Sequence, residues 1–179
     1  MGESPLLRSI KRTQMIMWLA FIAEPFATLA VFLVWRGMQG DSVVKDRVSW
    51  PGWFSYLFAV LLAVASVFVR HLLLSERLVV ARLDSGKPGS DALAMLGSLD
   101  ARSEWLWRLS RCYLSPMLIA WGLNSSITVG GLMRLFTAGD EVSVIALSLA
   151  ALALNALAYP RFDRFVERMG DLSPHGEGI

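Results

Sequence analysis

Cysteine and histidine are scarce in this chain of 179 residues, which has one cysteine, Cys112, and two histidines, His71 and His175. A single cysteine excludes a disulfide within the chain and offers no cysteine cluster to a metal. Only His71 falls near the end of an apolar run, which argues against paired histidine ligation of a haem. We therefore predict no cofactor and no metal site.

The sequence also lacks the short motifs that mark common active sites. It contains no glycine-rich nucleotide loop, no nucleophile elbow and no zinc-binding helix. Its basic residues are explained by membrane topology rather than by nucleic acid, as their distribution shows below. We therefore expect no catalysis, no catalytic residue and no nucleic-acid partner.

Charge is sparse and apolar residues are abundant. Charged residues make up 18% of the chain and hydrophobic residues 55%, with a mean hydropathy of +0.50, which exceeds what a soluble domain of this size carries. A membrane helix needs about 20 apolar residues. Four runs approach or reach that length: residues 15–35, 53–71, 113–136 and 142–159. The sequence predicts an all-α, polytopic membrane protein with four transmembrane helices and the lipid bilayer as a partner.

The positive charges are distributed unevenly between the predicted loops. Both terminal segments and the loop between the second and third runs are rich in cations, whereas the other two loops are not. Thirteen of the 17 Lys and Arg residues belong to the first group, and the remaining four are Arg36, Lys45, Arg47 and Arg134. Because cytoplasmic loops carry the excess of cations, this bias predicts that both termini are cytoplasmic.

The two halves of the chain repeat each other at a shift of about 100 residues. Each half has a basic entry, a helix, a Gly-Asp turn (Gly40-Asp41 and Gly139-Asp140), a second helix and a basic exit. Matched positions include Arg8 with Arg108, Lys11 with Arg111, Thr28 with Thr128, and Glu24 with Asn124. We predict two parallel-repeat hairpins, residues 1–84 and 104–170, joined by a cytoplasmic linker at 85–103 and followed by a tail at 171–179.

Polar residues at mid-depth are the candidate site. Glu24 is the only acidic residue in the four predicted spans, it precedes Pro25, and Thr28 follows one turn later. Asn124, Ser125 and Thr128 form the corresponding group in the third run. A charged carboxylate facing lipid would cost at least about 2.5 kcal/mol, so Glu24 should face protein or water and carry a proton at rest.

Two interpretations of Glu24 remain open. In the structural interpretation, the neutral acid hydrogen-bonds to Asn124 or a serine and holds the two halves in register. In the functional interpretation, Glu24 exchanges a proton or a sodium ion, and the backbone that Pro25 loosens supplies a carbonyl ligand.

Small residues at four-residue spacing predict close helix packing. The third run has Gly122, Ser126 and Gly130 on one face, and the fourth has Ala146 and Ala150 at the same spacing, with Ala153 nearby. Such stripes let another helix approach closely, within the chain or between copies.

Three stretches carry a resemblance to known proteins. AWGLNSSITVGGLMRLFTAGD, followed by LALNALAYPR, resembles small, mostly uncharacterised bacterial membrane proteins with four helices in duplicated hairpins. The segment IAEPFATLAVFLV is similar in spacing to the ion-carrying helix of rotary ATP synthase c subunits, although the glycine-rich partner helix of that family is missing. The resemblance implies a hairpin like that of the c subunits, in which the helix carboxylate binds the transported ion, with Glu24 as the candidate here; we expect a bacterial inner membrane as the location.

These observations favour one function over two others. The leading hypothesis is a structural or accessory membrane subunit that forms a homo-oligomer or joins a larger complex. The alternative is a protein that handles protons or sodium ions at Glu24. A lipid-binding surface module is the third.

Overall fold

The computed structural model describes residues 4–39, 52–85 and 100–170, and six helices make up most of these residues. They are α1 (Pro5–Gln39), α2 (Gly52–Leu73), α3 (Glu76–Asp84), α4 (Ala101–Ala138), α5 (Glu141–Leu157) and α6 (Phe162–Met169). The described residues contain no strand, so the all-α prediction is confirmed.

Two of the described helices are long and apolar enough to cross a membrane. They are α1, over Pro5–Met38, and α2, over Trp53–Leu73. Helices α5 and α6 reach the required length only as a pair bent by 41°. Asn124, two serines and Thr128 lower the hydropathy of α4, which is not among these spans. A membrane protein is therefore supported by two helices, or by three if the bent pair is one span.

Local sequence signals explain two helix boundaries. Ser4 Oγ accepts a hydrogen bond from Leu7 N at 3.2 Å, and Pro5 occupies the first helical position, where its missing N–H is not needed. Gly139 ends α4 with φ at 67°, a left-handed conformation that suits glycine. Asp140 then caps α5 by accepting from Ser143 N at 3.1 Å, so the predicted Gly139-Asp140 turn is confirmed.

The first of two compact units contains residues 4–16, 69–85, 100–118 and 160–170. In it, the Tyr113 ring packs on Phe162 and Phe165, with ring centroids 5.4 and 4.9 Å away. The Tyr113 hydroxyl accepts from Arg161 N at 2.8 Å, and Lys11 pairs with Asp163 at 2.9 Å. These contacts fasten the short amphipathic helix α6 to α4 and to the start of α1.

The second unit contains residues 17–39, 52–68 and 119–159 as far as they are described, and it holds the predicted polar site. Helices α1 and α4 run parallel in this unit. Two contacts show it, because their order is the same along both helices: Phe21 lies beside Trp121, and Phe32 beside Leu135. Helix α5 packs between them with its buried face, and Val144 contacts the Phe32 cluster. A second cluster joins α2 to α4 and α5 through Ala59, Ile127, Leu147 and Ala151.

Three predicted segments lie wholly or mostly outside the described residues. They are the Gly40-Asp41 turn, the linker at 85–103 except for its ends, and the tail at 171–179. Residues 101–103, placed in the linker by the sequence, already belong to α4. No glycine or proline interrupts the chain between them and Pro116, which explains why the helix starts this early.

Candidate functional site

Glu24 contacts two threonines, one from each of two helices. Its Oε1 atom accepts a hydrogen bond from Thr28 Oγ1 on the next turn of α1, at 3.3 Å, and another from Thr128 Oγ1 on α4. Thr28 and Thr128 are buried, whereas Glu24 is partly exposed. The structure thus brings three predicted site residues together, and Thr128 rather than Asn124 links Glu24 to α4.

The Thr128 hydroxyl has one proton but two acceptor oxygens within hydrogen-bond distance. Its Oγ1 atom also lies 2.7 Å from the carbonyl oxygen of Ser125, the back-bond that helical threonines commonly form. A hydroxyl donates one proton but can accept through two lone pairs. Thr128 therefore donates to one of these two acceptors at a time or shares its single proton between them.

Asn155 connects α5 to both α1 and α4. Its Nδ2 atom donates to the carbonyl oxygen of Phe21 at 3.0 Å, and its Oδ1 atom accepts from Asn124 Nδ2 at 3.0 Å. The Phe21 carbonyl is the one that Pro25 deprives of a helical partner, because proline has no N–H to donate four residues on. Asn155 replaces that missing donor.

Two tryptophans bond to the end of α5 and the residue after it. Trp18 Nε1 donates to the Asn155 carbonyl at 2.8 Å, and Trp121 Nε1 donates to the Ala158 carbonyl at 3.0 Å. Trp121 is fully buried and its ring lies 5.7 Å from that of Phe21. The carbonyls that a helix leaves unpaired at its C-terminus are thus satisfied by indole donors.

Several buried oxygens near this network have no hydrogen-bond partner in the described part of the chain. They are Glu24 Oε2, Asn124 Oδ1, Ser125 Oγ and Ser148 Oγ. A buried polar atom without a hydrogen-bond partner costs free energy, so these oxygens are the least satisfied part of the network. The predicted site residue Ser125 contributes its carbonyl to the network, while its hydroxyl stays outside it.

The predicted packing stripe lies beside a groove, and a neighbouring glycine makes the closest helix contact. A Cβ on Gly122 would meet nothing within 4 Å, and one on Gly130 only Leu147 Cδ1 at 3.9 Å. A Cβ on Gly131 would lie 3.1 Å from Val144 Cα and 3.3 Å from the Ser143 carbonyl oxygen. Gly131 therefore lets α4 approach α5 closely.

A groove of about 570 Å³ runs between α2 and α4. Ser126 and Gly130 form part of its wall, together with larger apolar residues such as Phe58, Val129 and Met133. Val129 is 51% exposed and Met133 62% exposed. Ala146, Ala150 and Ala153 of α5 are exposed, whereas Gly122, Ser126 and Gly130 of α4 are half-buried.

The charged groups of this unit gather near the turn between α4 and α5. Arg134 pairs with Asp140 at 2.9 Å, and Arg36 with Glu141 at 3.2 Å. Burial would raise the pKa of Asp140, but hydrogen bonds from Ser143 and Arg134 outweigh it and hold that pKa below its ordinary value of 3.8. Both of these ion pairs thus lie at the end of the unit that the turn forms.

The structure adds Asn155 and Gly131 to the residues predicted from sequence. A lone asparagine in the apolar run LALNALA was the available signal for Asn155, since Pro25 requires a donor for the Phe21 carbonyl. Gly131 was adjacent to the predicted stripe and differs from it by one position on the helix.

Comparisons of the chain with protein-family models, with curated proteins and with solved structures found no match.

Proposed function

We propose that this chain is a non-catalytic subunit of the bacterial inner membrane, which associates with itself or with a larger membrane complex. It crosses the membrane four times, as two parallel-repeat hairpins with both termini in the cytoplasm. Residues 15–35 and 53–71 form the first hairpin, and residues 113–136 and 142–159 form the second.

The exposure of α1 and α2 supports a membrane environment. Only 17% of the most apolar stretch of α1 and 11% of that of α2 are buried inside the protein. Leu33 and Val64 are 64% and 61% exposed. Apolar surface on this scale is costly in water and favourable in lipid.

The register between α1 and α4 supports the duplicated hairpin. Phe21 faces Trp121, at the shift of 100 residues that also aligns the two halves of the sequence. Glu24 meets Thr128, one turn beyond its repeat counterpart Asn124. Parallel repeats place matched positions at the same depth in the membrane, as this pairing requires.

The groove between α2 and α4 carries the proposal of association. Ser126 and Gly130, predicted to pack against another helix, line it and are only half-buried in the described chain. Helices associate in lipid through close backbone approach at small residues, because no hydrophobic gain drives them together. The groove is therefore suited to a transmembrane helix from a second subunit.

Cysteine cross-linking in native membranes tests this association. In a Cys112→Ala background, a cysteine at Met133 should give a disulfide-linked dimer of the chain or a larger cross-linked product. A cysteine at Ala27 on α1 serves as the matched control. Cross-linking at position 133 alone supports a specific interface. Equal cross-linking at both positions contradicts a specific interface, and so does the absence of cross-linking at both.

A second candidate function is proton or sodium handling at Glu24. The partly exposed acid, with its buried threonine partners, is the observation that favours it. This function predicts that Glu24→Gln abolishes ion flux in vesicles while the protein still folds. Flux that is unchanged in the variant would count against it.

A further inference from the structure

We infer that helix α6 binds the phosphate groups of anionic phospholipids through a strip of three exposed arginines. This α6 basic strip consists of Arg161, Arg164 and Arg168. Lipid binding at the strip requires neither association through the groove nor any role of Glu24. It rests on the proposed topology only in placing residues 160–170 at the cytoplasmic surface of the membrane.

Positive charge is concentrated in the first compact unit, to which α6 belongs. The described residues of this unit contain twelve Lys or Arg and six Asp or Glu, a surplus of six positive charges. The described residues of the second unit contain two Arg and three Asp or Glu. A partner that the first unit attracts through its surface charge is therefore an anion.

The side chains of α6 divide into three faces. The apolar face is buried and contains Phe162, Phe165, Val166 and Met169. Asp163 and Glu167 form an acidic face one turn apart, and Asp163 pairs with Lys11 of α1 at 2.9 Å. The remaining face is exposed and basic, because spacings of three and four residues align Arg161, Arg164 and Arg168.

The arginines of the α6 basic strip are available to a ligand. None of the three forms an ion pair with another residue in the described part of the chain. The planar guanidinium group matches the oxygens of a phosphate and binds them through two hydrogen bonds. The strip thus presents phosphate donors that the fold itself does not use.

The strip is held in place before any ligand binds. The Tyr113 ring packs on Phe162 and Phe165, and the Tyr113 hydroxyl accepts a hydrogen bond from Arg161 N at 2.8 Å. These contacts fix the backbone of α6 against α4. Because a ligand does not have to order the helix, less of its binding free energy is lost to conformational entropy.

Further cations lie on the elements that α6 contacts. Arg8 and Arg12 of α1 are exposed and flank Lys11, which pairs with the acidic face of α6. Arg70 of α2 acts electrostatically on the Tyr113 hydroxyl, the same hydroxyl that bonds to the start of α6. A phosphate at the strip therefore experiences the potential of more than three cations.

The position of the strip favours a membrane surface over other anionic partners. Arg161 follows Tyr159, the last residue of the fourth predicted span, by two positions. The cytoplasmic leaflet carries anionic lipids, and basic residues directly beside a transmembrane helix are attracted to them within a Debye length of about 8–10 Å. An acidic protein or a nucleic acid would not require the cations to start at the end of a span.

Thermal unfolding of the purified protein in mixed micelles tests the inference. Phosphatidylglycerol should raise the unfolding temperature at a lower concentration than phosphatidylcholine with the same acyl chains. In Arg164→Gln/Arg168→Gln, the half-effective concentration of phosphatidylglycerol should rise by about fivefold for each arginine lost. Arg77→Gln/Arg102→Gln is the matched control. It removes two exposed arginines of the same unit outside α6 and should respond as the unaltered protein does.

Four results would overturn the inference. They are equal responses to the two lipids, equal responses of the two double variants, stabilisation by inorganic phosphate as large as that by phosphatidylglycerol, and stronger stabilisation by polyglutamate, which indicates an acidic protein partner.

The salt dependence of the unaltered protein decides if the glutamine variant does not fold. Its response to phosphatidylglycerol should weaken at high ionic strength, and an unchanged response rejects the strip. Micelles do not separate the two sides of a membrane, and lipid binding does not require an oligomer. Failure of this inference is therefore distinguishable from failure of the proposed topology or association.

Discussion

Asn155 Nδ2 donates a hydrogen bond to the Phe21 carbonyl oxygen at 3.0 Å, and this bond joins α5 to α1 where Pro25 interrupts the hydrogen bonds of α1. The proline and the asparagine are therefore coupled although 130 residues separate them in sequence. Helix α1 tolerates a proline inside the bundle because a neighbouring helix provides the missing donor.

This coupling predicts a non-additive pair of mutations. Asn155→Ala should destabilise the protein by about 1–2 kcal/mol, since it leaves the Phe21 carbonyl and the Asn124 amide without partners. In a Pro25→Ala background the loss should be smaller, because the substituted alanine can donate its own N–H to the Phe21 carbonyl. A double-mutant cycle by unfolding in mixed micelles measures the difference, and strictly additive effects would contradict the coupling.

Gly131 and Gly122 form a matched pair for helix packing. Gly131→Ala should destabilise the protein by about 1–3 kcal/mol, because its Cβ would meet the backbone of α5 at 3.1 and 3.3 Å. Gly122→Ala meets nothing within 4 Å and should be neutral or slightly stabilising. The same unfolding assay compares them, and equal losses would show that α4 and α5 are not this close.

Asp140 makes the turn between α4 and α5 sensitive to acid. Its pKa is lower in the folded state than in the unfolded state, because the bonds from Ser143 and Arg134 outweigh the effect of burial. The stabilisation is therefore present above the unfolded-state pKa and is lost as pH falls through the folded-state pKa. Asp140→Asn should flatten the decline in stability between neutral and acidic pH, and an unaltered pH profile would contradict this account.

The proposed topology makes a prediction for residues at three positions. In a Cys112→Ala background, single cysteines at Ser9 and Arg168 should react with a membrane-impermeant reagent from the same side of the membrane. A cysteine at Ala138, an exposed residue at the end of α4, should react only from the opposite side. Labelling of all three from one side would reject two hairpins with cytoplasmic termini.

Local chemistry explains which features the sequence predicted. The Gly139-Asp140 turn depends on a few adjacent residues, and it was predicted. The contact between Glu24 and α4 depends on how far each helix is rotated about its own axis. The periodicity of polar and apolar residues alone does not determine that rotation. A small rotation brings Thr128 instead of Asn124 to Glu24, and the same uncertainty separates Gly131 from Gly130.

Asn155 was missed for a different reason. Its role arises from a backbone carbonyl that lacks a donor on another helix, and such a need has no periodic pattern in sequence. The helix content of the described residues followed from composition and run length, because apolar segments in a bilayer must satisfy their backbone groups internally.

The mass of the intact protein assembly tests the proposed function most directly. Native mass spectrometry of the protein extracted in mild detergent should show an oligomer or a complex with other subunits. Gly130→Leu, which fills the groove, should release the monomer, whereas Gly37→Ala on α1, with nothing within 4 Å of its Cβ, should leave the assembly intact. A folded, strictly monomeric unaltered protein would contradict the proposal that this chain acts as a subunit.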